Sequence, residues 1–211
     1  MLKDGIYYAL GCAAGAVVVA YLMHPISATP FVVFGAFCLY FFRDPERQIP
    51  DGPVCVSPAD GKVVHVRELA DGRTRISIFL NIFDVHVNRS PIAGRVVSVE
   101  YQPGRFLMAQ KELASSENEQ NTVVIEEENG DSSVSTKSTV EVRQIAGLIA
   151  RRIVCNNKVG DRIAKGERFG LIKFGSRTDV FLGREWEIIV AIGDRVAGGS
   201  SVLATKTGSE S

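Results

Sequence analysis

Three residues of this 211-residue chain have types that could carry out nucleophilic chemistry on a backbone bond. Ser176 follows Gly175, and the pair lies between two strand-like runs near the C-terminus. His86 lies at the end of an apolar run, and Asp60 stands in an Asp-Gly pair of the kind that forms turns. Each of them alone has an ordinary structural explanation. Together they point to a Gly-Ser bond that the protein cuts itself.

Composition excludes several other kinds of chemistry. The four cysteines have no Cys-x-x-Cys spacing, so we expect neither a metal site nor a disulfide framework, and a reducing compartment fits best. The 24 basic and 24 acidic residues balance, and no nucleic-acid partner is expected. Residues 151–184 are nevertheless basic, which favours an anionic lipid surface or substrate; the alternative is a solvated pair of strands.

The N-terminal 47 residues are predicted to be a membrane anchor. Residues 5–42 contain no Asp, Glu, Lys or Arg and divide at a Pro-containing turn, residues 24–30. The first part, residues 5–23, is close to the length of one membrane span, whereas residues 31–42 are short and would form a second span or a re-entrant helix. Positive charges flank the pair and are missing from its turn, which places the remaining chain on the cytoplasmic side of the cell membrane. The alternative, a cleaved signal peptide, conflicts with the apolar segment that follows directly.

Residues 48–211 are predicted to be a single catalytic domain, mainly β, built as a small barrel or sandwich. The β-branched runs that indicate strands are residues 62–66, 74–80, 95–101, 122–127, 139–145 and 187–191. One short helix is expected at residues 105–114, and a turn at residues 129–133. A Gly-Asp repeat, residues 159–166 and 192–199, resembles the turn of biotinyl- and lipoyl-carrier barrels. Lys173 lies within a strand-like run and not at a hairpin tip, so we interpret the repeat as scaffold.

Four motifs occur in order along the chain: residues 57–61, 83–91, 106–121 and 174–179. In this order they closely resemble the short bacterial and archaeal form of the phosphatidylserine decarboxylase family, whose members are made as proenzymes. The resemblance covers nearly the whole chain, including the apolar N-terminal pair.

The resemblance implies self-cleavage at Gly175–Ser176, giving a β chain of residues 1–175 and an α chain of residues 176–211 that stay associated. Ser176 would be the nucleophile, His86 its base, and Asp60 the group that orients the imidazole. Ser176 would then become a covalent pyruvoyl cofactor that forms a Schiff base with phosphatidylserine in the membrane, and the product would be phosphatidylethanolamine. No metal is expected.

Some points stay open at this stage. Phe83 stands where the longer form of the family has a second His, so no role of that His carries over. Two other functions fit the same residues: a membrane-anchored serine hydrolase, although a Gly-x-Ser-x-Gly elbow is missing, and a non-enzymatic membrane-tethered carrier or adaptor barrel. The sequence leaves open whether the protein forms a homo-oligomer and whether its lipid carries acyl or ether chains.

Overall fold

The computed structural model describes residues 2–110, 112–128, 138–148, 152–172 and 175–207. The chain divides into two compact units, Met1–Glu46 and Arg47–Ser211. The predicted turn at residues 129–133 and Lys173 lie outside the described residues.

The first unit is a pair of apolar helices. Helix α1 spans Leu2–Leu22, a 3₁₀ turn spans Pro25–Ala28, and helix α2 spans Thr29–Phe41. The helices approach closely at Gly35, where an added Cβ would lie 3.2 Å from the Cβ of Cys12, so a small residue is needed at this crossing. By length and composition α1 is able to cross a bilayer, with a mean hydropathy of 1.7, whereas α2 is shorter. The predicted apolar helical hairpin is confirmed.

The second unit is almost entirely β. Its fourteen strands, in chain order from β1 to β14, are Val54–Val56, Gly61–Glu68, Thr74–Leu80, Val87–Arg89, Gly94–Gln102, Gln120–Glu126, Thr139–Ile145, Ile153–Cys155, Arg162–Ile163, Arg168–Ile172, Ser176–Leu182, Trp186–Ile188, Arg195–Val196 and Val202–Lys206. The mainly β prediction is confirmed. The last predicted strand is shorter than expected and ends at Ile188.

Eight strands form one curled antiparallel sheet in the order β13-β2-β3-β11-β7-β6-β5-β9. Two three-stranded sheets, β1-β14-β12 and β4-β10-β8, complete the unit. Alternate residues of the large sheet point into a core with the period of two expected for strands, and this core includes Ile76, Ile78, Val142, Val180 and Leu182. Strand β11 lies at the centre of the large sheet, and every one of its residues is buried.

The two Gly-Asp repeats occupy equivalent places at opposite edges of the large sheet. The N–H of Val96 donates to the Asp161 carbonyl, and the N–H of Val63 donates to the Asp194 carbonyl, both at 2.9 Å. The strands that follow these turns, β9 and β13, pair with β5 and β2. A second repeat with the same offset, Ser-Pro-x-x-Gly at residues 57–61 and 90–94, precedes β2 and β5. The sheet is therefore two similar halves that meet at β11 and β7.

The prediction of one short helix is confirmed, but the bounds predicted for it, residues 105–114, are wrong. The only helical turn found there among the described residues is α3, Ala114–Glu117. The preceding backbone bonds to a distant segment: the N–H of Arg105 donates to the Glu117 carbonyl at 2.7 Å, and the N–H of Leu107 donates to Oδ1 of Asn118 at 2.9 Å. These bonds replace the i to i−4 bonds of a helix. Residues 105–110 and 112–118 therefore form an irregular segment, here called the strap. Its apolar residues do not share one buried face, since Ala109 is buried and Leu113 is exposed.

Glu112 ties the strap to the outer face of the large sheet. Its carboxylate contacts three basic side chains on β2 and β3: Arg75, Arg67 at 3.3 Å and His65 at 3.4 Å. Partial burial acts to raise the pKa of the Glu112 carboxyl, but the hydrogen bond and charge of Arg75, with the charges of His65 and Arg177, outweigh it and lower the pKa below 4.5. The ionised carboxylate therefore stabilises the docked strap.

We predict that Glu112→Gln lowers the thermal unfolding midpoint of the full-length protein in detergent by about 1–4 °C at pH 7, the size expected for a half-exposed ion pair. Because the folded pKa is depressed, the difference should be complete above about pH 4.5 and shrink as pH falls through the folded value. Differential scanning fluorimetry of both proteins across pH measures this. Glu187→Gln, an exposed change on β12, is the control. A difference that persists unchanged into strong acid would contradict the assignment.

Candidate active site

The Gly175–Ser176 bond lies where the chain passes from one sheet to another. Strand β10 ends at Ile172 in the small sheet with β4, and β11 begins at Ser176 in the large sheet, opposite Leu80 of β3. Ser176 is fully buried, and its Oγ has no hydrogen-bond partner in the part of the chain that the structure describes. A buried hydroxyl without a partner costs about 1–3 kcal/mol, so its presence calls for a functional explanation.

Gly175 has two features that fit a bond under attack. Its φ of +65° lies in the left-handed region, which glycine adopts at little cost. Its carbonyl oxygen packs against Gly147, which follows β7; a Cβ on Gly147 would lie 2.1 Å from that oxygen. The Gly175 carbonyl is therefore held in a slot that only a glycine at position 147 leaves open.

His86 reaches this peptide directly. The N–H of Gly175 donates to Nε2 of His86 at 3.1 Å, and Nδ1 of His86 lies 2.9 Å from the carbonyl oxygen of Asp84. A carbonyl can only accept, so the proton is assigned to Nδ1 and the lone pair to Nε2. The imidazole is buried and neutral, and its basic nitrogen faces the residue before Ser176.

The segment before His86 is a turn that holds the Asp84 carbonyl in place. The side chain of Asn81 accepts from the N–H of Phe83 at 2.7 Å, and Oδ2 of Asp84 accepts from the N–H of Asn81 at 2.9 Å. This reciprocal turn fixes the backbone whose carbonyl orients the imidazole. Sequence reasoning missed Asp84, although an Asn-x-x-Asp pattern two residues before the His is a readable turn signal.

Asp60 binds other partners in this structure. Its carboxylate accepts from Arg47 at 2.8 and 3.0 Å and from the N–H of Gly198 at 2.7 Å. No hydrogen bond joins Asp60 to His86 among the described side chains. The loop that carries Asp60 does contact β4, because the carbonyl of Pro58 accepts from the N–H of Arg89 at 2.9 Å. The predicted orientation of His86 by Asp60 stays a prediction.

A buried chain of amides and one hydroxyl connects the His86 segment to the Ser176 strand. Asn121 donates to Gln144 at 3.0 Å, Gln144 donates to Asn88 at 2.8 Å, and Asn88 donates to Thr178 at 3.3 Å. Asn88 is two residues after His86, and Thr178 is two residues after Ser176. These hydrogen bonds therefore fix β4 against β11, with His86 and Ser176 close to the end of the chain of side chains. Asn88 and Thr178 belong to motifs recognised in the sequence, but their contact was not foreseen.

The opposite face of β11 is fixed by a buried ion pair. The Arg177 guanidinium donates to the Asp179 carboxylate at 2.6 and 2.9 Å, and both side chains have no solvent exposure. Ser115 of α3 accepts from Arg177 and donates to Asp179 at 2.9 Å. A buried pair of this kind is costly to break, because removing one partner leaves an uncompensated charge. It joins the strap to the strand that begins with Ser176.

A cavity of about 410 Å³ opens beside Gly175. It is bounded by residues of β3, of the turn before His86, of the strap and of the segment after Gly147, together with Gly175 itself. The cavity therefore opens directly beside the residue that precedes Ser176.

In the described residues, the fold and site place a buried serine without a hydrogen-bond partner after a left-handed glycine, with a neutral histidine on the adjoining peptide and an apolar cavity beside it. Residues 34–204 match the family model for phosphatidylserine decarboxylase. A phosphatidylserine decarboxylase proenzyme from Solibacter usitatus (strain Ellin6076) is 55% identical over 206 residues, which cover 98% of this chain and 97% of that protein. The chain belongs to the phosphatidylserine decarboxylase family.

We predict that Gly147→Ala slows self-cleavage about 100-fold, because the new methyl group would displace the Gly175 carbonyl from its slot and shifts near 1 Å can cost that much. The fraction of cleaved chain after synthesis, followed on a denaturing gel, is the measurement. Gly11→Ala is the matched control, since its Cβ would meet no atom within 4 Å. Cleavage of Gly147→Ala at the wild-type rate would show that the slot plays no part.

Proposed function

We propose that this protein is a self-processing phosphatidylserine decarboxylase whose pyruvoyl group comes from Ser176. The observation that carries the proposal is the buried Ser176 hydroxyl without a partner, one residue after a glycine whose N–H binds His86. Family membership and the relative's name as a proenzyme support the same activity. Ser176 begins a β-strand and does not lie on the strand-to-helix elbow of a typical α/β-hydrolase, which argues against a serine hydrolase.

Self-cleavage begins with the attack of Ser176 Oγ on the carbonyl carbon of Gly175. His86 accepts the hydroxyl proton on Nε2, which requires this nitrogen to exchange the Gly175 N–H for the Ser176 hydroxyl. The Gly175 amide becomes an ester, and the released amine takes the proton. In the elimination that follows, a base removes the Cα proton of Ser176 and the Cβ–Oγ bond breaks, so that residues 1–175 leave as a carboxylate. Hydrolysis of the resulting dehydroalanine releases ammonia and leaves the pyruvoyl group on residues 176–211.

The environment of Ser176 fits the group that it would become. The pyruvoyl group supplies an electron sink for loss of carbon dioxide, the role that pyridoxal phosphate has elsewhere. The position is fully buried, and the Asn88–Thr178 contact keeps it in register with His86. His86 can hold a proton on Nε2 beside that position and is the proposed proton donor to the product.

Asp60 is assigned to the same reaction in one of two ways. In the triad form it orients the His86 imidazole directly. The observed contacts support a second form, in which Asp60 links Arg47 and Gly198 and so positions the loop whose Pro58 carbonyl bonds to β4. The two forms predict different effects of losing Arg47. In the first form Asp60 would still be able to bind His86, whereas in the second form the loop that carries Asp60 would lose its attachment.

The N-terminal helices are proposed as the membrane anchor, with the β unit on the cytoplasmic side. Support comes from the length and hydropathy of α1 and from the charges that flank the pair, which are Lys3, Arg43 and Arg47. We assign residues 1–47 to the anchor and residues 48–211 to the catalytic domain. An anchored domain would keep the active site near its lipid substrate.

The proposed function predicts release of carbon dioxide from phosphatidylserine labelled at the carboxyl carbon, with no added cofactor. Ser176→Ala should remain one full-length chain and release none. His86→Ala should cleave itself at least about 100-fold more slowly, the loss expected for a general base. Asp60→Asn and Arg47→Gln should both slow cleavage about tenfold if Asp60 positions the loop.

The controls separate these assignments. Normal cleavage in Arg47→Gln with slow cleavage in Asp60→Asn would favour the triad form. Release of fatty acid instead of carbon dioxide would indicate a hydrolase. Wild-type protein that is fully cleaved but releases no carbon dioxide from phosphatidylserine would contradict the proposed function and leave the self-cleavage intact.

A further inference from the structure

The cavity beside Gly175 has a composition that the self-cleavage does not explain. Its apolar lining comes from four segments: Phe79 from β3, Ile82 from the turn before His86, Met108 and Ala109 from the strap, and Leu148 after Gly147. Asn81 and Gln110 are its polar residues. No charged side chain is found among its described lining residues, so the cavity suits an apolar molecule with an uncharged polar part.

The rim of this cavity leaves large apolar side chains in contact with solvent. Met108 is 53% exposed, Leu148 is 59% exposed and Ile82 is 38% exposed. A single exposed apolar side chain is ordinary, but several around one opening form a patch of the kind that binds ligands. Keeping them in water costs free energy that a bound apolar partner would recover.

The strap is held firmly enough for these residues to form a built surface. The side-chain amide of Asn118 donates to the carbonyls of Leu107 at 2.9 Å and of Ala146 at 2.7 Å. These two bonds fix the backbone beside Met108 and the backbone beside Gly147. Glu112 adds the contact to Arg75. Met108 and Leu148 are therefore presented by segments that are fastened to each other.

We propose that this cavity binds an acyl chain of the phospholipid substrate, an inference that rests on the proposed function. The reacting amine of the substrate must reach position 176, and its acyl chains are attached to the same molecule through a phosphate and a glycerol. A chain that leaves the site beside Gly175 enters the apolar cavity, where Asn81 and Gln110 can hydrogen-bond the ester groups near the glycerol. The described lining residues carry no positive charge that would bind the anionic phosphate, so the cavity suits an uncharged acyl chain.

The test compares monomeric dihexanoyl phosphatidylserine with glycerophosphoserine, which has the same head group and no acyl chain. The variants are Met108→Glu and Leu148→Glu, each checked to be fully cleaved. Matched controls are Val159→Glu and Ile192→Glu, which replace side chains 63% and 65% exposed at the two Gly-Asp turns. The measured quantity is the ratio of kcat/KM for the acylated substrate to kcat/KM for the acyl-free one.

We expect each cavity variant to lower this ratio about tenfold, the loss that follows from replacing one large apolar contact by a charge, and each control to leave it unchanged. An unchanged ratio in both cavity variants overturns the proposal, as does a wild-type ratio near one. A loss found only with long-chain phosphatidylserine in vesicles, and not with the monomeric lipid, would assign the patch to the bilayer surface and overturn an acyl site. Wild-type protein inactive on every substrate would instead refute the proposed function.

Discussion

The hydrogen bond from the Gly175 N–H to Nε2 of His86 is the contact on which the site depends. It joins the crossover between two sheets to the only imidazole that lies beside the Gly-Ser bond in the described part of the chain. The Asp84 carbonyl sets the tautomer, which leaves the lone pair of Nε2 facing this crossover. The buried chain from Asn121 to Thr178 holds β11 against β4, and the Arg177–Asp179 pair holds β11 against the strap through Ser115.

The buried polar groups of the site lower the free energy of unfolding, and the proposed reaction uses the same groups. The Ser176 hydroxyl is buried and has no hydrogen bond to any residue that the structure describes. An ion pair and four polar side chains also occupy the interior, where apolar residues would pack at lower cost. The proposed conversion of Ser176 to a pyruvoyl group would remove this hydroxyl, so the reaction would relieve a cost that the folded precursor carries. The rest of the core is a regular apolar interior built from two similar half-sheets, and it supplies the stability that the site uses.

Hydrophobic patterns in the sequence predicted most β-strands correctly, but they did not predict which side chains meet in the folded protein. The β-branched runs gave strands Thr74–Leu80 and Thr139–Ile145 with correct ends, because alternation reports burial on one face of a sheet. The same reasoning gave the short helix the wrong bounds, residues 105–114, since apolar spacing cannot show that Asn118 takes over the backbone bonds. From the sequence, Arg47 is only a positive charge that follows the apolar segment. Its ion pair with Asp60 forms only when the two loops fold together, so no neighbouring residue predicts it. A polar residue on a strand, such as Gln144, is predicted from the sequence to face solvent. Its burial becomes visible only in the folded structure.

The central claim is that this geometry converts Ser176 from a nucleophile into the cofactor. Intact-mass analysis of the purified wild-type protein under denaturing conditions tests it most directly. The account predicts two chains, one of residues 1–175 with a free carboxylate and one of residues 176–211 beginning in a pyruvoyl group. A small chain that begins with an unmodified serine, or a single chain that persists after prolonged incubation, would contradict it.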